Sequence, residues 1–174
     1  MIRFGVIGTN WITEKFIDAA NAVEGFHLTA VYSRKENTAK EFAVKHGATH
    51  IYTNLEEMVS SSEIDAVYIA SPNSLHAEQS IVCMQHGKHV ICEKPLASNQ
   101  REVKKMIHTA KENNVLLMEA MKSTCTPNFQ VIKDHLHKIG PIHRFVANFC
   151  QYSSRYNAYK EGTILNAFNP TFSN

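Results

Sequence analysis

The sequence predicts an α/β fold built on a doubly wound parallel sheet. Short apolar runs alternate along the chain with segments of helical spacing, and the runs are residues 2–7, 28–32, 66–70, 89–92 and 115–118. Runs that are apolar on both faces are typical of parallel strands covered by helices. Strand and helix in repetition imply right-handed crossovers between parallel strands. We therefore expect one sheet with helices on both faces, from residue 1 to about residue 119.

The segments between these runs carry apolar residues at helical intervals. Val103, Met106, Ile107 and Ala110 have the i, i+3, i+4, i+7 spacing of one buried helix face. Beyond residue 119 the pattern changes. Pro127 opens a predicted helix that runs to Ile139, and apolar and polar residues then alternate over 143–152, which predicts a strand.

A single strand is not stable without neighbours, so we interpret residues 143–152 as the first strand of a second sheet. We therefore divide the chain into a doubly wound domain, residues 1–120, and the incomplete start of an α+β domain, residues 121–174. On this interpretation the chain is truncated relative to the complete protein.

The composition argues against several functional classes. The chain has 174 residues and a formal net charge of +2, and it has no basic stripe interleaved with aromatic residues, so a nucleic-acid partner is not expected. No apolar run approaches the roughly 20 residues of a membrane span. The four cysteines are widely spaced without a C-x-x-C pair. We expect reduced thiols, a cytoplasmic location, no membrane association and no metal site.

The turn after the first predicted strand is a candidate site for a dinucleotide pyrophosphate. The Rossmann fingerprint G-x-G-x-x-G/A is met only at Gly8, because Asn10 and Thr13 occupy the other two positions. A helix N-terminus still offers N–H groups to phosphate, and asparagine tolerates the left-handed conformation that such a turn requires. The alternative is a tight turn without a ligand. The candidate cofactor-binding residues here are Gly8, Thr9, Asn10, Trp11 and Ile12.

The end of the second predicted strand indicates which dinucleotide is bound. An NAD site usually places an acidic residue there to hold the ribose 2′-hydroxyl. This chain has Ser33 and Arg34 followed by Lys35, a hydroxyl and two cations that suit a 2′-phosphate better. Alternatively, Ser33 only caps the next helix, and Glu36 lies close by. We predict NADP as the cofactor, with NAD as the alternative.

Three further segments resemble one family of enzymes. Residues 86–95 read HGKHVICEKP, which resembles the G-K-H-V-x-x-E-K-P signature of the Gfo/Idh/MocA oxidoreductases. Residues 71–76 (SPNSLH) and 119–121 (EAM) are similar to two further segments of that family. The resemblance implies a Rossmann domain followed by a substrate domain. It also implies hydride transfer between a nicotinamide and a sugar, polyol or related cyclic alcohol.

The resemblance also implies roles for individual residues. Lys94 would be the catalytic residue beside the nicotinamide and the substrate, and Pro95 would follow it through a cis peptide bond. A lysine suits this role, because it can hydrogen-bond an alcohol oxygen and assist proton transfer there. Further cofactor contacts would come from four residues of the segment 71–76 and from the residue before Lys94, namely Ser71, Pro72, Asn73, His76 and Glu93.

This chain also departs from the family pattern. The second domain of the family supplies a D-x-x-x-H pattern that works beside the lysine, and no such pattern follows residue 120 here. We therefore expect the chain to be catalytically incomplete. The resemblance also implies that the full-length form is a homo-oligomer. A non-catalytic module that senses the dinucleotide is the alternative function.

Overall fold

The computed structural model describes residues 1–148, 150–152 and 156–162. Its sheet is built from strands β1 (Ile2–Ile7), β2 (Phe26–Tyr32), β3 (His50–Tyr52), β4 (Ala66–Ile69), β5 (His89–Cys92) and β6 (Leu117–Glu119). All of these strands pair in parallel, in the order β3-β2-β1-β4-β5-β6. The prediction of an α/β, Rossmann-type doubly wound sheet is confirmed.

Helices connect the strands and cover both faces of the sheet. They are α1 (Trp11–Ala20), α2 (Glu36–His46), α3 (Leu55–Ser60), α4 (Asn73–Gln85), α5 (Gln100–Glu112), α6 (Pro127–His135) and α7 (Tyr156–Lys160), with 3-10 helices at Lys122–Cys125 and Leu136–Ile139. Residues of α1 and α2 share one core cluster with the sheet, whereas residues of α3, α4 and α5 share the other. This two-sided cover explains why the strands are apolar on both faces. No helix of the described residues is long and apolar enough to cross a membrane.

Short polar side chains set the start of several helices. Asn10 caps α1, Asn54 caps α3, and Asn99 caps α5, each accepting a hydrogen bond from a backbone N–H in the first turn. Helix α2 ends at Gly47, whose φ of 76° is the left-handed conformation that glycine adopts without strain.

One aromatic contact joins α1 to the middle of the sheet. The ring of Phe16 on α1 stacks on the ring of Tyr68 on β4, with centroids 3.8 Å apart and planes inclined by 2°. Tyr68 is buried, so the stack lies within the core cluster on the α1 side. The contact fixes α1, and therefore the turn before it, relative to the centre of the sheet.

The segment after β6 agrees with the sequence prediction in part. The helix predicted to open at Pro127 is confirmed as α6, with its 3-10 continuation to Ile139. The strand predicted over 143–152 is wrong for residues 143–148 and 150–152, which form no strand; Phe149 lies outside the described residues. The alternation of side chains suits a strand, but no neighbouring strand pairs with this stretch in the described part of the chain.

Candidate functional site

A cleft of about 240 Å³ opens at the carboxyl ends of β1, β2 and β4. The strand order reverses between β1 and β4, and open α/β sheets bind their ligands at such a switch point. The cleft is lined by Ile7, Gly8, Thr9, Asn10, Tyr32, Ser33, Arg34, Ala70, Ser71, Pro72, Leu75 and Gln79. This lining contains one cation, Arg34, and no carboxylate. The cleft therefore favours an anionic ligand.

Gly8 lets the turn after β1 lie directly against the end of β4. Its φ is 102°, and a Cβ atom built there would lie 2.5 Å from the carbonyl oxygen of Ala70. Both facts exclude a side chain, because the conformation is strained for other residues and the space is filled by backbone. Gly8 thus performs the role expected of the first glycine of the fingerprint.

Asn10 does not make the turn in the way that we expected from the sequence. Its φ of −102° and ψ of 174° are extended, so the expectation of a left-handed Asn10 is wrong, and the positive φ falls on Gly8 instead. Both polar atoms of the Asn10 side chain form hydrogen bonds. Its Oδ1 accepts hydrogen bonds from the N–H groups of Ile12 and Thr13 at 3.0 and 3.3 Å, and its Nδ2 donates to the carbonyl oxygen of Ala70 at 2.7 Å.

The cap leaves only part of the helix N-terminus for a ligand. The first four N–H groups of a helix have no partner within it, and Asn10 satisfies two of them. The N–H groups of Asn10 and Trp11 remain at the positive end of the helix dipole. The indole of Trp11 is 71% exposed and does not line the cleft, and neither does the half-buried Ile12.

The end of β2 brings Ser33 and Arg34 to the cleft. Ser33 does not cap α2, because the helix begins at Glu36 and the Ser33 hydroxyl accepts a hydrogen bond from the Lys35 N–H at 3.3 Å. Glu36 does not line the cleft. Its carboxylate pairs with Lys40 at 2.6 Å, and this hydrogen bond lowers the pKa of Glu36. Among the residues that the structure describes, no acid therefore lines the place where an NAD site would hold the ribose.

The far wall of the cleft comes from the end of β4 and the start of α4. Ser71 and Pro72, two of the predicted cofactor contacts, line it, and the Ser71 hydroxyl donates a hydrogen bond to Oε1 of Gln79 at 2.6 Å. Asn73 and His76 are buried and do not line the cleft. The ring nitrogens of His76 lie 2.8 Å from the carbonyl oxygens of Ser71 and Pro95.

The sequence prediction missed several residues of the lining. Ile7, Tyr32 and Ala70 are at or just beyond the ends of strands, and the carboxyl end of a parallel strand is where such residues are to be expected. Leu75 and Gln79 face the cleft from the first turns of α4. Their spacing of four residues on one helix face is a signal that the sequence does carry.

Lys94 follows β5 and lies outside the cleft lining. It is exposed, and its peptide bond to Pro95 is cis, as the family resemblance implied. The preceding residue, Glu93, accepts a hydrogen bond from the Tyr68 hydroxyl at 2.7 Å. Burial and this carboxylate together raise the pKa of Tyr68, so the phenol remains a proton donor to Glu93.

Glu119 provides a second tie to the loop that carries Lys94. It stands at the end of β6, and its Oε1 accepts a hydrogen bond from the N–H of Leu96 at 2.9 Å. Side chains from β4 and β6 thus hold the residues on both sides of the Lys94–Pro95 bond. The loop is placed by the sheet although Lys94 itself is exposed.

Comparison with known proteins agrees with this geometry. Residues 2–121 match the Gfo/Idh/MocA model, described as an oxidoreductase family with an NAD-binding Rossmann fold. Over its whole length the chain is 60% identical to scyllo-inositol 2-dehydrogenase (NADP(+)) IolU of Bacillus subtilis and 52% identical to the uncharacterized oxidoreductase YgjR of Escherichia coli, covering 53% of each.

A solved structure shows the same fold. The 3-ketoreductase KijD10 from Actinomadura kijaniata, crystallised with NADP and TDP-benzene, superposes with a TM-score of 0.74 at 31% identity, over 79% of this chain and 42% of that protein. The chain spans about half the length of the curated relatives it matches. The family model covers most of the chain, and the chain belongs to the Gfo/Idh/MocA family of oxidoreductases, of which it carries the NAD-binding Rossmann domain.

Proposed function

We propose that the chain binds NADP(H) in the cleft at the switch point. The observation that carries the proposal is the lining at the end of β2, where Ser33 and Arg34 stand and no carboxylate does. A 2′-phosphate needs hydrogen-bond donors and positive charge, whereas a free 2′-hydroxyl is usually held by an acid. The name of the Bacillus relative, which specifies NADP(+), supports the same choice.

The cleft offers a separate surface for each part of this cofactor. The pyrophosphate would lie over Gly8, which has no side chain to exclude it, and would take the N–H groups of Asn10 and Trp11. The adenosine phosphate would lie at Ser33 and Arg34. The nicotinamide half would extend past Ser71 and Pro72 toward Glu93 and Lys94, with Asn73 and His76 behind them.

For the longer protein to which the chain corresponds, we propose an NADP-dependent oxidoreductase acting on a cyclic polyol or a sugar. The bound cofactor supplies the hydride acceptor. Lys94 is exposed at the carboxyl end of β5, where it can hydrogen-bond the substrate oxygen and hold the proton that leaves or joins it. The activity recorded in the name of the Bacillus relative, dehydrogenation of scyllo-inositol, supports a cyclic polyol as substrate.

We propose the domain organisation predicted from the sequence, in which residues 1–120 bind the cofactor and residues 121–174 form the start of a substrate domain. The buried residues of the described structure all precede residue 120, which supports this boundary. We also retain homo-oligomer formation and a cytoplasmic location as predictions for the complete protein. The 174-residue chain should bind cofactor and lack full turnover.

Fluorescence of Trp11 tests the proposal, because it is the one tryptophan of the sequence and follows the proposed pyrophosphate-binding turn. NADPH and NADH are titrated separately, and quenching and energy transfer to the reduced nicotinamide are followed. We expect saturable quenching with tighter binding of NADPH. Tighter binding of NADH would reverse the choice of cofactor, and no response to either, confirmed by calorimetry, would refute the site.

A further inference from the structure

His76 connects the wall of the cleft to the loop that carries Lys94. We propose that His76 is a positioning residue, which holds the Lys94–Pro95 loop against the cleft and acts through backbone carbonyls without touching the cofactor. The inference rests on the proposed function, since it concerns the end of the cleft that would take the nicotinamide.

The ring of His76 bridges two loops that the sequence keeps apart. One nitrogen, Nδ1, lies 2.8 Å from the carbonyl oxygen of Pro95, and the other, Nε2, lies 2.8 Å from the carbonyl oxygen of Ser71. The residue is 1% exposed, so water does not compete for either contact. A neutral ring donates one of these hydrogen bonds, and a doubly protonated ring donates both.

Both ends of the bridge bear on the site. Ser71 lines the cleft, and its hydroxyl is held by Gln79. Pro95 directly follows Lys94, so its carbonyl group marks the position of the loop. One imidazole thus connects the cleft wall to the residue that follows Lys94. Because the ring is buried, His76 is badly placed to contact the cofactor and well placed to orient what does.

Other side chains cannot replace this geometry completely. An imidazole directs its two nitrogen atoms apart at a fixed angle on one rigid ring, whereas a glutamine carries both of its N–H donors on one nitrogen at the end of a flexible side chain. A His76→Gln variant can satisfy one carbonyl group, and a His76→Leu variant can satisfy neither. The bond from Leu96 to Glu119 remains in both variants, so the loop would be loosened without being released.

The test compares two ligands that share the phosphorylated adenosine and differ in whether they carry a nicotinamide. NADPH reaches the nicotinamide end of the cleft, whereas 2′,5′-ADP carries the adenosine phosphate and lacks the nicotinamide. Dissociation constants of both are measured by calorimetry for the wild type, His76→Gln and His76→Leu. Circular dichroism checks that each variant is folded. His108→Gln is the control, because His108 is a largely exposed histidine on α5, away from the bridge.

We expect His76→Leu to weaken NADPH binding about tenfold, which corresponds to the loss of one buried hydrogen bond, and to leave 2′,5′-ADP binding unchanged. His76→Gln should weaken NADPH binding less, and it serves as the milder variant if the leucine does not fold. Equal weakening of both ligands in a folded variant, or of neither, would overturn the role of His76. If the wild type binds neither ligand, the proposed function itself fails.

Discussion

The two parts of the described chain on either side of residue 120 differ sharply in how far their apolar side chains are buried. Before that residue, apolar side chains of strands and helices fill two core clusters, one on each face of the sheet. After it no residue whose burial the structure describes is buried, and Ile139 and Phe145 are 70% and 84% exposed. The comparison teaches that local pattern and tertiary burial are separate properties, since α6 forms in the second part without a core to cover.

The largest expected difference between the two parts is in the free energy of unfolding that is lost when one apolar side chain in each is truncated. Ile69→Ala empties space at a fully buried position of β4, and we expect it to lower the free energy of unfolding by about 2–5 kcal/mol. Ile132→Ala removes a side chain that is 58% exposed on α6, and we expect a change within about 0.5 kcal/mol. Urea unfolding measures both. Similar losses would show that α6 is buried in solution.

Gly8→Ala should destabilise the part of the chain before residue 120, at the turn that lines the cleft. The new Cβ meets the Ala70 carbonyl group in a conformation that is already strained, so we expect a loss of about 3 kcal/mol in stability together with loss of cofactor binding. The matched control is Gly47→Ala, which also has a positive φ but has no atom within 4 Å of the added Cβ, and should cost about 1 kcal/mol. Equal costs would mean that the contact with Ala70 is unimportant.

Arg34→Ala should lower the affinity for NADPH and not that for NADH, without disturbing the fold. Arg34 is exposed, and we expect its removal to weaken NADPH binding about tenfold and to leave NADH binding unchanged. Lys35→Ala, next to it in sequence but outside the cleft lining, is the control and should have a smaller effect. Titration of each variant with both nucleotides measures this. A uniform loss for both nucleotides would count against a 2′-phosphate contact.

The smallest expected effect lies at the opposite, amino end of the sheet. Arg3 donates two side-chain hydrogen bonds and one backbone hydrogen bond to Asp65, and these lower the pKa of Asp65 from 3.8 to about 2. The folded protein therefore gains stability from ionised Asp65 above about pH 4 and loses it as the pH falls toward 2. Discounted for exposure, the gain is about 1 kcal/mol.

Acid unfolding of Asp65→Asn checks this effect. The difference in stability from the wild type should be present at pH 5 and shrink between pH 4 and 2. Asp134→Asn, in the second part of the chain, is the control, since Asp134 makes no ion pair among the described residues. A difference that does not change with pH would mean that the Arg3–Asp65 pair contributes nothing through its charge.

The parts of the fold that were predictable from sequence are those where burial leaves a pattern on both faces. Strands β1 and β5 have the predicted bounds for this reason. Strand β3 was missed, because it has three half-buried residues at an edge and so leaves no apolar run. The strand predicted over 143–152 failed for the opposite reason: its alternation is present, but pairing depends on a neighbouring strand that the local pattern does not contain.

The candidate site divides in a similar way. Gly8, Ser33, Arg34 and Ser71, which were predicted to contact a cofactor, all line the cleft, because positions at the ends of parallel strands converge on one edge of the sheet. The surroundings of His76 were not predictable, since they depend on the path of a loop that is distant in sequence. The same holds for Asn10, where the motif specified a position but not which residue would adopt the positive φ.

Asn10 also bears on how such proteins are found by pattern searches. A search for G-x-G after the first strand rejects this chain, although its turn approaches β4 as closely as a glycine allows. The second position here carries a side chain that caps the helix and ties it to the neighbouring strand. A pattern that also admits a short, neutral hydrogen-bonding residue there, asparagine or serine, would recover such chains. Aspartate could cap the helix equally well, but its charge would repel the phosphates.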